Sequence, residues 1–187
     1  GQLSNSSLRG PIGVVGAIRP WTSPIVLASL KIAMALVTGN TLVLKAAEDA
    51  PLGVLRIAGV CHRHLPPGVL NVVTGLGEEA GAALVRHPLV RKLSFTGSTE
   101  VGKDVMSAAG ARLVPVSLEL GGKSPAIVFP DSDSDRVADG VISGMRFTRP
   151  GQSVTGGPPP VPPGSLLDTP LGRLPRRRAQ LEVGGPP

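Results

Sequence analysis

Aromatic side chains are scarce in this chain: of its 187 residues, three are Phe, one is Trp and none is Tyr. A hydrophobic core must therefore be aliphatic, and a hydrophobic content of 41% is sufficient for a globular fold of that kind. The scarcity also argues against nucleic-acid binding, because aromatic rings provide the surfaces on which bases stack. The net charge of +6 would suit a polyanion, but the basic residues are spread along the chain except at residues 176–178. We therefore expect no nucleic-acid partner.

Cysteine occurs once, as Cys61, which excludes an internal disulfide and a cysteine-cluster metal site. The three His residues lack partners at ligand spacing, so no metal site is predicted. The longest apolar run, residues 25–37, is interrupted by Lys31 and is too short to span a membrane. The chain begins with Gly1 rather than Met, and its first ten residues have no signal-peptide pattern. We expect a soluble, cytoplasmic protein with no membrane partner, and a piece of a longer chain.

Strand-like and helix-like segments alternate along most of the chain. Short aliphatic runs predict strands, and longer runs that begin with a helix-starting residue or end at Gly, Asn or Pro predict helices. The predicted strands are residues 12–18, 41–44, 69–73, 92–95, 114–118 and 126–129, and the predicted helices are residues 24–37, 51–64, 78–86, 99–109 and 136–145. This alternation is typical of an α/β fold with a parallel sheet and right-handed crossovers.

Polar or glycine residues end several of the predicted strands. They are Lys45, Gly75, the pair Gly97 and Ser98, and Glu119. Because ligands of parallel sheets bind outside the carboxyl ends of the strands, these residues are candidates for one site. Glu119 precedes a Gly-Gly pair and has two interpretations. It is either a strand-end carboxylate in solvent or a general base at the mouth of a cleft.

The composition changes from about Pro150, since residues 150–187 contain ten of the 20 prolines. Proline removes backbone donors and fixes φ, so an extended or disordered tail is predicted there. Just before this region, Asp131, Asp133 and Asp135 alternate as in some Ca²⁺ loops. The Gly and terminal Glu of an EF-hand are missing, which favours a role as helix cap.

Five phrases in the chain together resemble the aldehyde dehydrogenase superfamily, in family order and at family spacing. They are PIGVVGAIRPW (11–21), GNTLVLKAAEDAPL (39–52), LPPGVLNVVTG (65–75), KLSFTGSTEVG (92–102) and LELGGKSPAIVF (118–129). The resemblance is close over residues 11–157 and weaker beyond them.

The resemblance implies a Rossmann-like parallel sheet flanked by helices, as a partial coenzyme-binding domain over residues 1–120. The start of the α/β catalytic domain would occupy residues 121–157, and residues 158–187 would form a degenerate Pro/Gly/Arg-rich tail. The implied activity is oxidation of an aldehyde to a carboxylic acid with NAD(P)⁺, through a cysteine thiohemiacetal and thioester. The resemblance further implies a small-molecule aldehyde substrate and a homo-oligomer, and on this basis we expect the given sequence to lack most of the oligomerisation elements.

The resemblance also assigns roles to individual residues. Lys45 and Glu48 would hydrogen-bond the adenosine ribose, and the carboxylate favours NAD over NADP because it repels a 2′-phosphate. Gly97 and Ser98 would face the pyrophosphate at a helix N-terminus. Trp21 and Leu120 complete the implied cofactor-binding set.

The implied catalytic set is incomplete. Glu119 matches the general base, but Thr22 stands where the family has the oxyanion asparagine. Val154 stands where the family has the nucleophilic cysteine, and valine has no nucleophilic atom.

Three hypotheses follow. The first is an aldehyde dehydrogenase family fragment that cannot catalyse the reaction as written. The second is a non-catalytic nucleotide-binding or interaction module, and the third is polyanion binding through residues 176–178, which we consider the weakest.

Overall fold

The structure is a computed structural model that describes residues 3–129, 134–145 and 184. The chain divides into two compact units, Gly1–Gly121 and Gly122–Pro187. Over residues 3–121, the described part of the first unit, five strands alternate with four α-helices. The strands are β1 (Val14–Ile18), β2 (Thr41–Lys45), β3 (Leu70–Val73), β4 (Val90–Thr96) and β5 (Val116–Glu119). The helices are α1 (Pro24–Val37), α2 (Leu52–Cys61), α3 (Ala82–Arg86) and α4 (Thr99–Gly110).

All five strands are parallel, in the order β3-β2-β1-β4-β5. The predicted parallel α/β sheet is therefore confirmed. The strand order reverses direction between β1 and β4, whose carboxyl ends are aligned through the pair Ile18 and Phe95. Such a switch point leaves a crevice at the carboxyl edge, where ligands of open α/β sheets bind.

Aliphatic side chains cover both faces of the sheet, as the scarcity of aromatic residues requires. One core cluster joins α1 and α2 to β1, β2 and β3, and it includes Ala28, Ile32 and Leu44. The other joins α3 and α4 to β4 on the opposite face, and it includes Leu93 and Phe95. The alternation of side chains along each strand divides the two clusters between the faces.

Helix α1 occupies the predicted range, beginning at Pro24, where a proline costs no intrahelical hydrogen bond. The predicted helix 51–64 is shorter, because it ends at Cys61 and residues 62–64 continue as turns. The N–H groups of Arg63 and His64 bond three residues back rather than four. This tighter pattern is common where a helix ends.

The predicted helix 78–86 is present, but it begins as a π-helical turn, Gly77–Gly81, rather than as an α-helix. The N–H of Gly81 bonds to the carbonyl of Leu76, five residues back, at 3.4 Å. Gly81 is buried, and a Cβ added to it would lie 3.7 Å from Ile18 Cδ1. The regular α-helix starts only at Ala82.

In the second unit the structure describes one helix, α5 (Ser134–Gly144). The predicted strand 126–129 was wrong, since only Ile127 forms a bridge there. Asp131 and Asp133, two of the predicted capping aspartates, lie outside the described residues, as does the predicted Pro-rich tail apart from Gly184. No helix within the described parts of the chain is both long and apolar enough to cross a membrane.

Candidate functional site

The carboxyl ends of the strands bring several of the predicted site residues to one edge of the sheet. Lys45 is the last residue of β2, and it is in register with Ile18 of β1 and Val73 of β3. Glu119 is the last residue of β5, in register with Thr96 of β4. The sequence therefore located both charged residues at this edge correctly.

Lys45 and Glu48 form an ion pair, with 2.5 Å between Nζ and Oε2. The Lys45 side chain is almost fully buried, whereas that of Glu48 is 43% exposed. A buried ammonium group is costly unless it is paired, so Glu48 supplies the charge that allows Lys45 to remain inside. The exposed part of the carboxylate stays available to a ligand.

The charge of Glu48 is favoured by its surroundings. The hydrogen bond from Lys45 is the largest cause that lowers the pKa of the Glu48 carboxyl, and the backbone N–H groups of Glu48 and Gly77 lower it further. Glu48 is therefore an anion at neutral pH. It presents oxygen acceptors beside the loop that follows β3.

Gly97 and Ser98 lie between β4 and α4. The side chain of Ser98 caps α4, because its Oγ accepts the N–H of Val101 at 3.3 Å. A Cβ added to Gly97 would lie 2.5 Å from Cζ of Phe95, whose side chain is buried. Glycine thus allows the chain to turn tightly over Phe95 and to begin a helix whose free N–H groups attract anions.

Leu120, which follows Glu119, packs against α4. A Cβ added to Gly102 would lie 2.4 Å from Cδ2 of Leu120, so the glycine leaves space for this leucine. The side chain of Leu120 is half-buried against the core cluster of α4. Leu120 is thereby held at the end of β5, next to the candidate base.

Three predicted site residues remain: Trp21, Thr22 and Val154. Trp21 is 46% exposed after β1, and Thr22 is half-buried beside it. Ser23 follows with φ +44°, a left-handed conformation that is unfavourable for a residue with a Cβ. Val154 lies outside the described residues.

Arg19 is a site feature that the sequence reasoning missed. The residue follows β1 directly, is only 2% exposed, and donates from Nη2 to the carbonyl of Ala50 at 3.2 Å. Within the described residues, its Nε and Nη1 have no hydrogen-bond partner. Burial lowers the pKa of Arg19. The contact fixes the segment after Lys45 and Glu48 to the end of β1.

Lys31 was also missed as a site residue. Its Nζ donates to Ser94 Oγ at 2.7 Å and so links α1 to β4, although the two residues are 63 positions apart. Burial lowers the pKa of Lys31 to about 8, and the charge of Glu119 opposes this shift. The one available signal was its position as the single charge in an apolar helix.

The chain matches the aldehyde dehydrogenase family over residues 2–187. It is 55% identical over 153 residues to the phenylacetaldehyde dehydrogenase of Pseudomonas fluorescens, and this match covers 81% of this chain and 30% of that protein. It is 53% identical over 146 residues to betaine aldehyde dehydrogenase 1 of Oryza sativa subsp. japonica, covering 78% of this chain and 29% of that protein. The chain thus spans about 30% of the length of these relatives.

A further relative is named as peroxisomal: aminoaldehyde dehydrogenase 1 of Malus domestica, 51% identical over 148 residues, covering 79% of this chain and 29% of that protein. The cytoplasmic location of this chain therefore stays a prediction.

Solved structures with the same fold include both coenzyme types. An NAD⁺ complex of an aldehyde dehydrogenase from Bacillus cereus superposes with a TM-score of 0.86 and 39% identity, covering 94% of this chain and 36% of that one. An NADP-dependent enzyme of E. coli superposes with a TM-score of 0.88 and 39% identity, over the same shares of the two chains. Fold similarity alone does not distinguish NAD from NADP for this chain.

Proposed function

The chain belongs to the aldehyde dehydrogenase family, and we propose that its first unit binds NAD in preference to NADP without oxidising aldehydes by itself. The single observation that carries the binding proposal is the Lys45–Glu48 ion pair at the carboxyl edge of the sheet. It presents a charged donor and a half-exposed carboxylate to the ribose of an adenine nucleotide.

The described residues fit a dinucleotide. The Glu48 carboxylate accepts hydrogen bonds from ribose hydroxyls and repels a 2′-phosphate, which is the basis for the NAD preference. The N-terminus of α4 after Gly97 and Ser98 offers N–H groups and partial positive charge to a pyrophosphate. Trp21, exposed beside β1, and Leu120, at the end of β5, complete the proposed contacts.

When bound, the nicotinamide ring supplies a hydride acceptor for aldehyde oxidation. The exposed Glu119 would then remove a proton from the water that releases the acid, as the general base of the complete reaction. Thr22, in place of the asparagine donor, offers a shorter hydroxyl side chain to an oxyanion. Losing such a donor costs about 3–4 kcal/mol of transition-state stabilisation.

Val154 is the reason that we propose no turnover. Covalent catalysis in this family requires a thiolate at that position, and an isopropyl group cannot attack a carbonyl. The aldehyde substrates in the names of the relatives, phenylacetaldehyde and betaine aldehyde, indicate the class of molecule for which such a site is built. A small aldehyde is therefore the proposed substrate class of the complete enzyme.

Isothermal titration calorimetry of this chain with NAD and NADP tests the proposal. We expect NAD to bind in the micromolar-to-millimolar range, with weaker binding of NADP. Glu48→Gln should weaken NAD binding about tenfold and reduce the discrimination, because a hydrogen bond to a charged group contributes roughly 1.5–3 kcal/mol. Asp104→Asn, an exposed substitution within α4, is the matched control and should change neither affinity.

A second measurement tests the inactivity. The chain is mixed with NAD and phenylacetaldehyde, and NADH formation is followed by absorbance. Turnover above the background would refute the interpretation of Val154. A chain that is folded by circular dichroism but binds neither nucleotide would refute the binding proposal.

A further inference from the structure

Lys31 lies in the middle of α1, half-buried, among apolar residues of the same helix. Ala28, Ile32 and Ala35 of α1 are in the core cluster, so the aliphatic part of the Lys31 side chain leaves a helix face that is mostly apolar. Its Nζ reaches the edge of that surface and donates to Ser94 Oγ. Among the described residues, no carboxylate is within ion-pairing distance of this Nζ. Lys31 is thus bonded to a neutral hydroxyl.

The Lys31 ammonium group faces a polar part of the sheet. By strand alternation, Ser94 of β4 shares a face with Lys92, and on β5 that face carries Ser117 and Glu119. Ser117 and Glu119 are exposed, and Lys92 donates from Nζ to Ser117 Oγ at 3.0 Å. Of the charged residues on this face, Glu119 acts electrostatically on Lys31, whereas the Nζ of Lys92 is bonded to Ser117. Lys31 and Ser94 are themselves only half-buried.

Lys31 loses its proton at a lower pH than a solvent-exposed lysine, because burial disfavours the charged ammonium group. With a pKa of about 8, roughly half of the Lys31 side chains are uncharged at pH 8. A solvent-exposed lysine with a pKa near 10.4 is uncharged in about 0.4% of molecules at that pH. Lys45, by contrast, is almost fully buried, and its Nζ is engaged in the ion pair with Glu48.

We propose that Lys31 is a covalent capture site for small aldehydes, where its amine forms an imine. The uncharged Nζ adds its lone pair to the carbonyl carbon, and the carbonyl oxygen takes up a proton to give a carbinolamine. Loss of water from the carbinolamine forms the C=N bond, so that amine and aldehyde yield imine and water with no change in oxidation state. Ser94, already bonded to Nζ, is placed to relay a proton. The step needs neither a nucleotide nor the cysteine that Val154 replaces.

The test traps the imine by reduction. The full chain is incubated at pH 8 with propanal and sodium cyanoborohydride, without nucleotide, and the propylated lysines are identified by peptide mass spectrometry. We expect Lys31 to be modified about tenfold faster than Lys103, an exposed lysine on α4. Modification of Lys31 at the rate of Lys103 or below would overturn the proposal. The experiment contains no NAD, so its outcome is independent of nucleotide binding.

Two variants sharpen the test. Lys31→Arg keeps a positive charge but cannot form an imine, so the corresponding adduct should disappear while modification of Lys103 stays unchanged. Glu119→Gln removes the negative charge that favours protonated Lys31, so imine formation at pH 7 should become severalfold faster. An unchanged or slower rate in folded Glu119→Gln would contradict the assigned environment. Circular dichroism verifies that each variant is folded.

Discussion

The backbone N–H of Gly97 donates to the carbonyl of Glu119 at 3.1 Å. This bond continues the β4–β5 pairing one step past the pair Thr96 and Glu119. It ties the turn that begins α4 to the residue that carries the candidate base. The proposed pyrophosphate turn and the proposed base therefore belong to one rigid corner of the sheet, and a shift of either backbone would move the other.

Gly97→Ala is expected to be strongly destabilising. The added Cβ would lie 2.5 Å from Cζ of Phe95, a buried ring that cannot move without disturbing the core of α4. Overpacking of this kind costs about 1–3 kcal/mol. Urea denaturation should show that loss in the free energy of unfolding. Gly110→Ala is the control, since nothing lies within 4 Å of its added Cβ, and it should be neutral or slightly stabilising.

Gly102→Ala should cost less than Gly97→Ala, although its added Cβ would approach its neighbour more closely. The added Cβ meets Cδ2 of Leu120 at 2.4 Å, which is the end of a flexible side chain rather than a buried ring. Leu120 can rotate away, and alanine is the better helix former by about 1 kcal/mol. We expect a change in unfolding free energy within about 1 kcal/mol, with weaker NAD binding because Leu120 moves. A loss larger than that of Gly97→Ala would contradict the explanation.

Lys31→Met should stabilise the chain at neutral pH. The pKa of Lys31 is about 8 in the fold and near 10.4 in the unfolded chain, so between these values the unfolded state binds more protons. Above pH ~10.4 Lys31 is uncharged in both states and its burial does not reduce the stability of the fold. As the pH falls through about 8, the folded state must also take up the proton, and this part of the stability is lost. The loss is at most about 3 kcal/mol.

Urea denaturation at pH 7 and pH 10 measures this effect. The free energy of unfolding of Lys31→Met should exceed that of the original chain by about 1–2 kcal/mol at pH 7 and by less at pH 10. The exposed control Lys103→Met should change stability by less than about 0.5 kcal/mol at both pH values. Equal gains from Lys31→Met at both pH values would argue against the lowered pKa.

Glu48→Gln should make the free energy of unfolding depend less on pH in the acidic range. Because the hydrogen bond from Lys45 lowers the pKa of Glu48, its stabilising effect is present above the unfolded value and is lost as the pH falls through the folded value. The variant should be less stable by about 1 kcal/mol at pH 7, because Lys45 loses its charged partner but solvent screens the half-exposed carboxylate. That difference should shrink as the pH falls below about 4. Glu79→Gln, an exposed substitution in the π-helical turn, serves as the control in the same acid titration.

The sequence alone determined the alternation of strands and helices, and with it the parallel sheet. These features depend on local periodicity and on residues such as Pro24, so they can be predicted without knowing what packs against what. The same local signals located Lys45 and Glu119 at strand ends and Ser98 before a helix. They predicted the helix after β3 but not that it begins as a π-helical turn, Gly77–Gly81, in which Gly81 packs against Ile18.

Only the tertiary structure decided which distant residues meet. The strand order places β4 between β1 and β5, so Lys31 reaches Ser94 on β4 and Gly97 reaches Glu119 on β5. The fold also buries Lys45, and the ion pair with Glu48 offsets the cost of burying its ammonium group. Burial and proximity depend on long-range packing, which local propensity does not encode. The sequence identified Lys45 and Glu119 at this edge, whereas the fold determined which groups are buried and which partners they have, and added Arg19.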